Sequence, residues 1–373
     1  MSQEIKVDLH FHPNLNGFLS SDRSKAMRIL LNCLEYDLTA LIITEHTYKD
    51  PVNSFRSLYQ IQQELIKVNP EKYDKLKNIF LFPGIEYMCT EGGEIVLFHD
   101  QVDHHGNAFM YEIMKKRHPL LLKPYGLTLM EVIDIAAHYK LSIYAPHPFE
   151  TKTGSIKIFG KACSTKSFRY RISQIVSNRN LGISVHNGAF DSVADVLKEL
   201  GVVVPFFEQI TSTPPILLDE ANSRFNSGGS DAHVPELIGS GIKINLFGEL
   251  TRKNVYLSIL LNKEKKVFKP KRGFFGRIKR LFAGFKQLGV TSREVITEKK
   301  IIKQIEKEKK ELLEAYVRAW EKGLPIKDII KLKHLFPGKS FMLSLSKLQI
   351  KRLKIAMEKK KLERKNKILL EAA

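Results

Sequence analysis

The sequence predicts an α/β barrel carrying a basic, mainly α-helical C-terminal extension, and three observations lead there. Residues 1–250 repeat one rhythm, a short apolar run ending in polar residues and then a longer stretch of helical spacing, as expected of strands alternating with helices. No Gly-rich dinucleotide fingerprint follows the first strand, which favours a barrel over an open doubly wound sheet. Charge then changes abruptly: residues 1–250 hold 25 Lys+Arg against 28 Asp+Glu, residues 251–373 hold 35 against 12, and the whole chain carries +20. A near-neutral body joined to a cationic segment suggests an enzyme-like domain over 1–250 and a polyanion-directed extension over 251–373.

The elements follow in order. "IKVDLH" reads as a strand, "DRSKAMRILLNCLEY" as a helix and "TALIITEH" as the next strand. "FRSLYQIQQELIKV" is helical in spacing, "IFLFPGIEY" and "EIVLF" are strands, and "LTLMEVIDIAAHY" is a helix before the strand "LSIYAPHPF". "LGISVHN", "SVADVLKEL", "VVVPFF" and "SGIKINL" continue the alternation. Beyond residue 250, "KVFKPKRGFFGRIKRLFAGFKQLG" mixes basic residues with phenylalanines and is expected to break at Pro270 and its glycines. A helix is expected from "TSREVITEKK" onward, with Thr291 or Ser292 as N-cap and Gly323 as its stop. A last basic helix is expected in "SLSKLQIKRLKIAMEKKKLERKNKILLEA".

At 373 residues, 43% hydrophobic and 27% charged, the chain has the composition of a globular protein able to bury a sizeable core. No apolar run approaches the roughly 18 to 20 residues of a bilayer-spanning helix. "MSQEIKVDLHFH" lacks the basic, apolar and small-residue regions of a secretory signal. Cys33, Cys89 and Cys163 are odd in number and without metal-type spacing, so the expected setting is reducing and cytoplasmic, with membrane-peripheral attachment through the basic extension as one variant.

Five of the 12 histidines stand where expected strands end: His10 and His12, His46, His147 and His233. The C-terminal ends of parallel barrel strands converge on one face, so these residues are brought together. His10 and His12 are two apart, as are Asp231 and His233, and such pairs face the same way on an extended chain. With Glu86, also at a strand end, they form a mixed imidazole and carboxylate set suited to Zn, Mn or Fe, in which a carboxylate can bridge two ions. "GGSDAH" places Gly228 and Gly229 immediately before this pair, which suggests backbone running close to the centre.

The segments "DLHFH", "ITEH", "PGIEY", "APHPF" and "GGSDAH" resemble, in order, motifs of the polymerase and histidinol phosphatase (PHP) superfamily, over roughly the first two thirds of the chain. The resemblance implies a distorted (β/α)7 barrel with two or three divalent metal ions at its C-terminal face and hydrolysis of phosphoesters. Carried over by position, it implies His10, His12, His46, Glu86, His147, Asp231 and His233 as ligands, with Asp8 and Glu45 orienting them. Three places depart from the family pattern. "PNLNGFLSSD" stands where the family has Ser followed by His or Asp, Glu94 stands where it often has a histidine ligand, and Ser184 stands in place of an acid. Glu94 is accordingly a further candidate ligand, and His186 sits off the motif position.

The function this implies is a metal-dependent phosphoesterase acting through a metal-activated water on a nucleotide, nucleic acid or small phosphomonoester, with no general acid assigned. The alternative is a catalytically weak PHP module whose basic extension does the work. That extension, residues 251–373, suits nucleic acid through phosphate contacts and aromatic stacking, or an anionic membrane surface.

Overall fold

The computed structural model describes residues 3–15, 20–90, 94–146, 181–188, 223–270 and 274–321, together with Glu358. The chain divides into two compact units, Met1–Ser292 and Arg293–Ala373.

The first unit is a nearly closed mixed sheet with helices packed on it. Its strands are β1 Gln3–Phe11, β2 Leu38–Ile43, β3 Phe80–Met88, β4 Glu94–Phe98, β5 Ser142–Ala145, β6 Gly182–Asn187, β7 Asn226–Gly229, β8 Gly241–Leu246 and β9 Val267–Phe268. The order across the sheet is β7-β6-β5-β4-β3-β2-β1-β8-β9. β1, β2 and β3 are parallel, as are β5, β6 and β7.

This corrects the (β/α)7 expectation, under which neighbouring strands would all be parallel. β4 runs antiparallel between β3 and β5, and β8 and β9 form an antiparallel flank beside β1. The cause is local. Only residues 89–93 separate β3 from β4, whereas a parallel crossover needs a dozen residues or more.

The helices are α1 Ser20–Glu35, α2 Pro51–Val68, α3 Pro70–Tyr73, α4 Phe109–Lys116, α5 Leu129–His138, α6 Arg252–Leu261 and α7 Phe274–Glu321. Asp50 caps α2 by accepting from the Asn53 N–H at 3.0 Å, with Pro51 in the first turn. Thr128 and Glu131 form a reciprocal capping box on α5. The spacing predicts both helices, though α2 starts four residues before the expected Phe55; it does not predict α4, α6 or β7. β7 is "NSGG", with no apolar alternation to reveal it.

The compact unit runs past the change of composition at residue 250. α6 is pinned by Arg252, which donates to the Leu81 carbonyl at 2.8 Å, and by Tyr256, whose hydroxyl lies 2.6 Å from Ser142 Oγ. Tyr256 and Phe98 pack edge to face, and Phe98 meets Tyr144 and Phe225 in the same way inside the sheet.

α7 also departs from expectation. It begins at Phe274 and continues through Gly276, Gly284 and Gly289, so Thr291 and Ser292 are interior residues and not an N-cap. The Thr291 hydroxyl donates back to the Gln287 carbonyl at 2.9 Å. Glycine costs a helix interior about 1 kcal/mol relative to Ala. Burial of Arg280, Ala283 and Gln287 on one face of this helix works against that cost. The second unit holds the rest of α7, from Arg293 to Glu321. Among the described residues no helix is long and apolar enough to cross a membrane. The stretches "SVADVLKEL" and "VVVPFF", the stop at Gly323 and the final basic helix, apart from a helical Glu358, lie outside the described residues.

Candidate metal centre

The ends of β1, β2 and β7 meet beside Glu86, which lies within β3 and not at its end, and the backbone ladder brings them there. Where the β1–β2 ladder ends, Thr44 extends it: its N–H donates to the Phe11 carbonyl at 2.9 Å and its hydroxyl accepts from the Phe11 N–H at 3.1 Å. This sets Glu45 and His46 beside His10 and His12. Glu86 N–H donates to the Glu45 carbonyl at 3.3 Å, and His46 and Glu86 form a parallel bridge. From the other side, the segment after β7 returns to β1. Asp231 N–H donates to the His10 carbonyl at 2.7 Å, and His12 N–H donates to the Ala232 carbonyl at 3.0 Å.

That return explains the paired glycines. A Cβ on Gly229 would lie 2.3 Å from His10 N and 2.7 Å from Asp8 Oδ1, and one on Gly228 would lie 2.8 Å from Ile242 Cγ2. Only bare backbone passes here.

Two carboxylates organise the side chains. Glu86 Oε1 lies 3.4 Å from His10 Nε2, while its Oε2 lies 3.3 Å from His12 Nε2 and 3.2 Å from His46 Nδ1. Asp231 Oδ1 lies 3.5 Å from His10 Nε2, 3.3 Å from His12 Nε2 and 3.6 Å from His233 Nε2. The His12 ring packs against those of His46 and His233, at centroid distances of 4.4 and 4.3 Å, and those two rings lie 5.8 Å from each other. His12, His46 and His233 form one set of converging ligand atoms, and His10, His12 and Asp231 another, with His12 common to both.

The spacing fits metal ligation. Atoms bound at about 2.0–2.1 Å in a tetrahedral shell are separated by about 3.3–3.4 Å. The nitrogen to carboxylate separations here, 3.2 to 3.6 Å, are edges of that size. His10 Nε2 and His12 Nε2 are only 2.9 Å apart, a tighter edge that one shared proton or one cation would hold.

The surrounding charge has the right sign. Burial pulls the His12 pKa down, but Asp231, Glu45 and Glu86 outweigh it and push the pKa up to about 10. A field that holds a proton so firmly also favours a cation.

Glu45 is fully buried, with Oε1 3.8 Å from His12 Nδ1, a charge contact and not a hydrogen bond. Burial raises its pKa, but Lys49, His12 and His46 hold it well below the usual carboxylate range, so it stays ionised. Asp8 acts on backbone: its Oδ1 accepts from Ser230 N–H at 2.8 Å and from His10 N–H at 3.3 Å. Burial pushes the Asp8 pKa up to about 7 against those hydrogen bonds.

Six of the seven expected ligands thus converge, and the seventh, His147, lies outside the described residues. Glu94, at the start of β4, is buried with a carboxylate oxygen within 4.8 Å of a His46 ring nitrogen. His186 is buried on β6 and belongs to neither of the two sets above.

Two residues outside the expected ligand set hold the backbone around it. Asn14 adopts a left-handed φ of 51° and donates its N–H to Glu45 Oε2 at 2.6 Å, tying the turn after His12 to Glu45. Asn in a turn after a ligand pair was a readable signal. Gln287, on α7, gave none.

No protein-family model matches the chain, and no curated protein matches it. Among solved structures it is similar to PsfC from Pseudomonas syringae, at 16% identity over 78% of this chain and 99% of that one, with a TM-score of 0.43. It is also similar to endonuclease Q in complex with a 27-mer duplex substrate with an abasic lesion at the active site, at 14% identity over 69% of this chain and 56% of that one, with a TM-score of 0.39. A third is the lesion-specific endonuclease PfuEndoQ from Pyrococcus furiosus, at 15% identity over 71% of this chain and 58% of that one, with a TM-score of 0.38. The chain spans less than two thirds of the length of the two endonuclease Q chains.

Proposed function

We propose that the chain is a metal-dependent phosphoesterase of the PHP type, holding two or three divalent ions, Zn, Mn or Fe, at the centre around His12. The observation that carries this reading is the pair Glu86 and Asp231, each within 3.6 Å of three imidazoles, two from the end of β1 and one from beyond the end of a second strand. His10, His12, His46, His233, Glu86 and Asp231 are the proposed ligands, with His147 and Glu94 completing the set. A proton on His12 Nδ1, facing ionised Glu45, leaves the Nε2 lone pair for a cation. Asp8 fixes the backbone of His10 and Ser230 and so the reach of both ligand pairs. When bound, such ions polarise a phosphoryl oxygen and make a water nucleophilic near neutral pH.

The proposed substrate is a phosphate ester, and the basic segment points to nucleic acid. On α7, Ile278, Phe282 and Phe285 are 38%, 69% and 55% exposed, spaced one turn apart, with exposed Lys279 and Lys286 beside them. Exposed aromatic rings between lysines suit base stacking with phosphate contact.

The test is metal analysis of the purified full-length protein together with a screen of phosphomonoesters, nucleotides and short oligonucleotides. At least two ions per chain are expected, with hydrolysis abolished in the His10→Ala, His12→Ala double variant. No ion after metal-supplemented expression, or wild-type turnover in the double variant, overturns the reading. Oligonucleotide binding should weaken steeply with salt. Binding to anionic vesicles in place of oligonucleotide would reassign the stripe to a membrane.

A further inference from the structure

Asp231 and His233 sit on a backbone that the sheet supports from one side only. Asp231 N–H and the Ala232 carbonyl face β1 and bond to it. The His233 N–H lies trans to the Ala232 carbonyl across their peptide bond and so points away from β1, the left-handed φ of Asp231 turns its own carbonyl the same way, and both groups need partners of their own. Both find the same one. Gln287, fully buried on α7, donates its Nε2 to the Asp231 carbonyl at 2.9 Å and accepts the His233 N–H on its Oε1 at 3.0 Å. The carboxamide thus pairs with this edge as the N–H and C=O of one residue on a parallel neighbouring strand would. Only one orientation of the amide satisfies both bonds.

The support matters because the segment is strained. Asp231 has a φ of 44°, in the left-handed region that costs a non-glycine residue on the order of 1–2 kcal/mol. One turn pair along the same helix face, Arg280 donates to the carbonyls of Ile238 at 3.0 Å, Leu237 at 3.2 Å and Glu236 at 3.3 Å. Positions 280 and 287 are seven apart, so one helix face grips residues 231 to 238 from both ends. All these groups lie within the unit Met1–Ser292.

We propose that Gln287 is a positioning residue of the metal centre, setting the reach of Asp231 and His233 by bonding the backbone on either side of Ala232. The inference rests on the metal-centre reading above. It makes the basic α7 part of the metal centre's support.

The test is competition between the full-length protein and a chromophoric chelator for zinc, in wild type, Gln287→Met and Gln287→Glu, alongside melting of the metal-free proteins and absorption spectra of the cobalt(II) forms. Met keeps the length of the side chain and removes both hydrogen bonds. Glu keeps the acceptor for His233 N–H and loses the donor to Asp231. The expected result is a zinc affinity lowered about 10- to 100-fold in the Met variant, as for loss of other outer partners of ligands, with a smaller loss in the Glu variant and an altered cobalt spectrum in both. The metal-free melting temperature should change far less than the affinity. Equal zinc affinity and an unchanged cobalt spectrum in wild type and either folded variant overturn the inference and leave the metal-centre reading standing. A wild type that binds no zinc or cobalt overturns both. If the Met variant does not fold, the Glu variant decides alone, by whether its affinity falls.

Discussion

Glu86 and Asp231 play matching geometric parts, each a carboxylate among three imidazoles, yet the chain holds them in different ways. Glu86 lies within β3, paired with β4 on one side and bridged to His46 beyond the end of β2 on the other, and its side chain is almost completely buried. Asp231 follows the end of β7 in a left-handed turn, with a side chain 15% exposed, and depends on β1, Asp8 and Gln287 for its place. The ladder supplies rigidity to one half of the centre without help from side chains. The other half needs bare backbone to pass β1 and buried polar side chains to hold it.

The largest effect should separate these halves. Glu86→Gln removes the carboxylate that touches His10, His12 and His46, and should lower metal affinity by more than about 100-fold. Asp231→Asn should cost less, because its side chain is more exposed and its contacts are longer, 3.3 to 3.6 Å against 3.2 to 3.4 Å for Glu86. Zinc titrations giving the reverse order would break the comparison.

Gly229→Ala probes the passage itself. Its Cβ would meet β1 backbone at 2.3 Å, so the segment carrying Asp231 and His233 must shift away from His10. Destabilisation of roughly 3 kcal/mol by urea unfolding is expected, together with loss of metal.

Thr128→Ala, remote from both halves, calibrates the scale. Loss of the α5 capping box should cost about 1 kcal/mol in the same unfolding assay and leave metal content unchanged.

A pH-dependent effect concerns the turn after His12, where Lys25 donates to the Asn14 carbonyl at 3.2 Å. Burial pulls the Lys25 pKa from 10.5 down to about 8; Lys49 and Lys286 act in the same direction, and Glu45 and Asp22 oppose them. The folded pKa lies below the unfolded one, so the buried ammonium is a cost below pH 8 that is relieved as pH rises toward 10.5. Wild type should therefore gain stability relative to Lys25→Met across that window. Parallel pH profiles for the two proteins would show that Lys25 is solvated.

What was legible in the sequence is what local rules govern. Spacing of two puts His10 with His12 and Asp231 with His233 on one side of an extended chain, whatever the rest of the fold does. Strand ends rich in His and carboxylate mark a candidate cation site through chemistry alone. The glycines at 228 and 229 announce a close approach, because no other residue tolerates one.

Tertiary structure decided the rest. Apolar periodicity finds "EIVLF" but not its antiparallel direction, which follows from the five residues that join it to β3. "NSGG" becomes a strand only because β6 pairs with it. The glycines of α7 read as breaks because their helix penalty is local, whereas the burial that opposes it comes from contacts with residues more than 40 positions away. Gln287 carries no motif and looks like any polar residue on a basic helix. Its part depends on docking against a backbone edge 54 residues earlier in the chain, and hydrogen-bond complementarity at that range exists only once the helix has packed.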